Sequence, residues 1–180
     1  MKFRTFMFSV VALSFITTMC AENITVSGGG NYGKETLQSL AITGMVKLNG
    51  TEITDTLRIT GGLIARDAEI GFLDVLGEAN LTHSHVINGC TVLGQIQAIG
   101  STFDKPITIL SQKAVFTDSK IKQITVKQDS AFKGKQIIEL RQRTIVDGPI
   151  HFESGRGEVQ IFPGSYVHGI VSGGKIVKKH

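Results

Sequence analysis

The chain has 180 residues, 41% of them hydrophobic and 19% charged, which argues against a disordered chain and is enough for one domain with a sizeable core. Twenty-one Gly against three Pro leans towards many short strands joined by tight turns, and the absence of Trp, with only two Tyr, argues against an aromatic sugar-gripping surface. The net charge is a modest +4, but it is unevenly distributed along the chain.

Residues 1–21 form the first expected element. Lys2 and Arg4 precede an apolar run from Phe6 to Met19, and no acidic residue occurs before Glu22. This is the layout of a secretory signal peptide cut after Ala21. At about 14 residues the run is short for a spanning helix, which needs about 20. A lipidated Cys20 is the alternative, but Thr17, Thr18 and Met19 make a poor lipobox. The expected setting is therefore extracytoplasmic: periplasm, outer surface or secreted. With the leader removed, Cys90 is the only cysteine, and an intramolecular disulfide is impossible.

From residue 22 onward a short apolar-x-apolar string recurs. Its first members are Ile24, Leu40, Leu57, Leu73, Ile107, Ile124, Ile138 and Val159, at gaps of 16, 17, 16, 34, 17, 14 and 21. The double gap predicts a pair at Cys90 and Val92. A second series runs through Ile53, Ile70, Ile87, Phe103, Ile121 and Ile137. A third runs through Val46, Leu63, Leu81, Ile96, Val115, Phe132, Ile150 and Val167. Residues two apart share a side only in an extended chain. Three such strips per period of roughly 17 describe a unit that cannot bury its inward side alone and must stack on its neighbours. The expected fold is all-β: a single-stranded parallel β-helix (β-solenoid) over 22–180, with about nine coils of roughly 17 residues.

Corner signals fall between the strips. Asn49-Gly50, Thr60-Gly61-Gly62, Asn88-Gly89 and Asp147-Gly148 supply turn dipeptides or residues able to take positive φ. Ser27-Gly28-Gly29-Gly30 is read as a wide corner of the first coil, because Ile24 keeps the phase.

Candidate chemistry is sparse. His83 and His85, at i and i+2, would face one side of a strand and share a metal if Asp67, Glu69 or Asp74 supplied a third ligand. Two exposed polar residues is the plainer reading, and no metal or cofactor is assigned. Glu52, Asp55, Asp67 and Glu69 would have to stack to form the carboxylate cluster of a glycan-cleaving β-helix, but the turns are too short to wall a groove. Val92-Leu93-Gly94 and Ile59-Thr60-Gly61 look superficially like hexapeptide acyltransferase coils, yet six-residue spacing does not persist. Cys90 is expected to fill the core. No phosphate loop, CxxC pair or nucleotide fingerprint is present. No catalytic residue is assigned.

The segment VQIFPGSYVHGIVSGGKIVKK (159–179) resembles the coils of bactofilins, bacterial polymer-forming β-helices. Val159, Ile161, Gly164, Val167, Gly169 and Val171 fall on their pattern of apolar-x-apolar, a Gly corner, then apolar-x-Gly-x-apolar. LAITGMVKLNGTEI (40–53) is similar. The resemblance implies a short right-handed β-helix and suggests self-assembly.

The charges segregate by sequence. Residues 22–104 carry four Lys and Arg against nine Asp and Glu, net −5, whereas residues 105–180 carry thirteen against six, net +7. The sequence therefore points to an exported, non-enzymatic structural or interaction protein of a bacterial envelope, with a homo-oligomer or an envelope component as partner. Neither nucleic acid nor a membrane span after leader removal is expected. A glycan-binding or glycan-processing β-helix is the competing reading.

Overall fold

The structure, a computed structural model, describes residues 23–180; the leader expected over 1–21 lies outside the described residues. All regular elements among them are strands, and every strand pair is parallel. The chain winds as a β-solenoid of about nine turns, with three faces here called A, B and C in the order the chain visits them.

Face A stacks Ile24, Leu40, Leu57, Leu73, Cys90, Ile107, Ile124, Ile150 and Val171 in register. Face B stacks Val46, Leu63, Ala79, Ile96, Ala114, Ile138, Val159 and Ile176. Face C stacks Leu37, Ile53, Ile70, Val86, Phe103, Ile121, Val146 and Val167. Strand alternation turns these residues inward, and most of them are almost fully buried. Their removal from water, at about 25 cal/mol per Å² of apolar surface, is the main stabilising term.

The periodicity located the first strip correctly as far as Ile124, including the inferred pair at Cys90 and Val92. Beyond that point the count fails. Ile138 continues the column of Ala114 on face B, and Val159 stacks on Ile138. The physical reason is a nine-residue excursion over 127–135, which delays the return to face A until Ile150. Ile87 is likewise displaced by its neighbour Val86, which holds the face C position, and Ile137 lies on face B beside the inward Ile138, while Val146 holds the face C position of that coil. In the third series Leu81 lies two residues beyond Ala79, Val115 points outward beside buried Ala114, and Phe132 sits in the excursion. Ile150 and Val167 belong to faces A and C.

Two corners are built by distinct ladders. Between faces A and B, Gly44, Gly61, Gly77 and Gly94 repeat with φ from +134° to +143°. A Cβ on Gly61 would lie 2.2 Å from the carbonyl oxygen of Gly44, and one on Gly77 2.0 Å from that of Gly61. Gly28 stacks beneath Gly44, so the Ser27–Gly30 run is the corner of the first coil, as its phase suggested.

Between faces B and C, Gly50, Asp67, His83, Gly100, Asp118, Gln142 and Gly164 take left-handed φ between +49° and +84°. A small residue follows each of them and turns inward, except that Arg143 stands between Gln142 and the inward Thr144. Ser84 Oγ accepts from the amide of Ala68, Ser101 Oγ from that of Ser84, and Ser119 Oγ from that of Ser101 (3.2–3.3 Å). Thr144 Oγ1 then accepts from the amide of Ser119 at 3.3 Å. This hydroxyl ladder satisfies buried amides that the bent chain leaves out of the strand pairing.

Candidate functional site

The left-handed backbone at His83 decides the fate of the expected imidazole pair. A positive φ breaks strand alternation, so His83 and His85 do not share a face. His83 Nδ1 lies 3.8 Å from Asp67 Oδ1 at the B/C corner. His85 is on face C, in register with Glu69 and Thr102, and its Nε2 is 2.7 Å from Asp104 Oδ2. Asp74, the third suggested ligand, is on face A and accepts from Arg58 Nε at 3.1 Å. Among the described residues no group of three or more His, Cys, Asp or Glu is placed to hold a metal ion.

Of the four stacking carboxylates, only Glu52 and Glu69 share a column, on the outer side of face C. Asp55 accepts from Ser39 Oγ at the C/A corner, and Asp67 occupies the opposite corner. Cys90 is 2% exposed between Leu73 and Ile107. Burial, reinforced by the negative charge of Asp74, pushes its thiol up to about 12, so the nucleophilic thiolate is suppressed.

The organised polar chemistry lies instead on the basic half. On face B, Glu139 receives Lys113 Nζ at 2.7 Å and Arg141 Nη2 at 2.6 Å, and the Arg141 guanidinium sits 5.1 Å from the centre of the Phe162 ring. Burial pushes the Glu139 carboxyl up, but the hydrogen bonds and charges of Lys113 and Arg141 outweigh it and hold the group below the usual range. One rung further, Glu158 accepts from Gln160 Nε2 at 2.8 Å and faces Lys135 and Lys175 at 3.5 and 3.6 Å. At the B/C corner Asp118 and Arg143 form a two-point pair, both contacts at 2.9 Å.

Sequence reasoning missed a second feature of this half. Lys133-Gly134-Lys135, Gly155-Arg156-Gly157 and Gly173-Gly174-Lys175 stack at the A/B corner of the last three coils and line a groove of about 560 Å³. The signal was visible as three short Gly/basic triplets, but the first two stack at a 21-residue step rather than at the 17-residue period that relates the last two.

Fold and surface together define a parallel β-solenoid whose outer columns carry ion pairs and segregated charge. No family model, curated protein or solved structure matches the chain, so the likeness to bactofilins rests on coil grammar. Val159 and Ile161 lie on face B, Gly164 at a corner with φ +84°, Val167 on face C and Val171 on face A.

Proposed function

We propose that this chain is an exported structural or interaction protein of a bacterial cell envelope or surface, and that copies associate through opposite charges at the two halves of the rod. The observation that carries this reading is the charge order. In a solenoid, sequence order is position along the axis, so residues that are merely separate in the chain become separate in space. The described residues 23–104 hold eight Asp and Glu against four Lys and Arg, and residues 105–180 hold thirteen Lys and Arg against six Asp and Glu. Face C shows the change along one outer column, from Glu52 and Glu69 through His85 and Thr102 to Lys120. Two rods can then pair tail to head, or side by side and antiparallel.

The coil grammar shared with bactofilins supports assembly as the theme, and the reading assigns the chain no catalytic role. Negative-stain microscopy of the mature protein at low ionic strength tests it. Filaments or laterally paired rods are expected; dispersed single particles about 40 Å long, the height of nine rungs, would contradict it.

A further inference from the structure

We propose that the groove at the A/B corner of the last three coils binds an acidic glycan, a linear sugar polymer bearing carboxylate, sulfate or phosphate groups. The proposal takes its exported setting from the reading above, but the groove does not depend on self-association.

The groove is built by two features. One wall is the excursion over 127–135. It is pinned by Lys127 Nζ on Glu153 Oε1 at 2.6 Å and by Gln136 Nε2, which donates to the carbonyls of Lys127 and Ser111 at 2.8 and 3.2 Å. The floor is bare backbone for a packing reason. Phe152 takes a face A position that Ile59, Val75 or Ile109 fill in other coils, and its ring lies directly beneath the corner. A Cβ on Gly157 would come within 2.1 Å of that ring, and one on Gly173 within 1.9 Å of the Phe152 carbonyl oxygen. Gly157 and Gly173 are therefore held without side chains, and backbone is left at the floor of the groove.

Packing explains the glycines but not the charge. Lys133, Lys135, Arg156 and Lys175 line the groove, against which Glu158 is the acidic neighbour. Lys135 and Lys175 share that carboxylate at the long distances given above. Lys133 and Arg156 have no carboxylate partner within ion-pair distance among the described residues. Four cations around an exposed backbone floor suit a narrow chain that carries repeated negative charges and can accept hydrogen bonds. The three stacked segments span two rung intervals, about 10 Å, so the occupant meets several cations at once. No aromatic ring lines the groove, so nucleic-acid bases would find no stacking platform there. The acidic faces of a second copy are sheet surfaces, with no narrow chain to enter it.

The test measures binding of the full mature chain at 0.15 M salt, on particles that light scattering shows to be single. Failure of binding and failure of self-association are thereby read separately. The probes are polygalacturonate, dextran sulfate, poly(glycerol phosphate), neutral dextran and a single-stranded oligonucleotide. At least one charged glycan is expected to bind, with neutral dextran inert, and the best of the three acidic probes identifies the anionic group. Lys133→Ala/Arg156→Ala should weaken that binding by about tenfold and flatten its log–log salt dependence by about two units. Lys105→Ala/Lys122→Ala removes the same charge from the basic half outside the groove and should leave binding within about twofold of the parent. Equal weakening by both variants would reduce the effect to net charge. That result, no binding to any acidic glycan, or tighter binding of the oligonucleotide would each overturn the proposal.

Discussion

Ser101 shows how much of this fold depends on single polar atoms. Its hydroxyl accepts the amide of Ser84 and donates to the carbonyl of Ile99 at 3.0 Å, in a corner where the residue is 1% exposed. Ser101→Ala leaves a buried amide without a partner and should cost about 1–3 kcal/mol. Ser101→Thr keeps the hydroxyl and, since Thr144 occupies the same ladder, should cost less. Chemical denaturation of the two variants measures the difference, and equal stabilities would show that the ladder carries no weight. Cys90 gives a second residue-scale test. Its thiol is buried and its ionisation suppressed, so alkylation should be slow in the native protein and rapid after unfolding. The inward place of Cys90 was legible because a period fixes alternation for every residue near it. The left-handed backbone of His83 was not legible, since Gly, Asp, His and Gln all occupy that corner and no residue type marks it.

At the scale of elements, the two corner ladders make different demands. Gly61 needs both a φ of +134° and room against the Gly44 carbonyl, so Gly61→Ala should destabilise by about 1–3 kcal/mol or more. Gly50, at φ +69°, occupies a position that Asp67 and His83 hold elsewhere, so Gly50→Asn should be nearly neutral. Thermal melts that ranked the two alike would contradict the assignment of the corners. The ion cluster on face B predicts a pH dependence. The folded-state pKa of Glu139 is depressed, so its contribution is present above the unfolded value of about 4.3 and is lost as pH falls through the lower folded value. Stability should therefore fall below about pH 4, and Glu139→Gln should shallow that fall while lowering stability at neutral pH. A parent and a variant with parallel pH profiles would remove Glu139 from the account. The sequence read the coils well where their length held near 17 residues, from Ile24 to Ile124. It lost the register once the excursion lengthened one coil, because a period has no means of announcing an insertion.

On the scale of the whole molecule, the solenoid turns a one-dimensional charge order into a bipolar rod. The segregation was readable from residue counts alone, whereas its consequence needed the axis. What escaped the sequence was local: the groove of the last coils arises from stacking of segments 21 and 17 residues apart, and the first of those steps departs from the period. The central claim is that opposite halves attract, and light scattering of the mature protein across ionic strength tests it most directly. Screening shortens the Debye length from about 10 Å at 0.1 M to about 3 Å at 1 M, which weakens attraction between exposed charges. The expected result is a particle mass well above that of one chain at low salt, falling to one chain as salt rises. A mass that stays at one chain throughout, or one that grows with salt, would contradict the account.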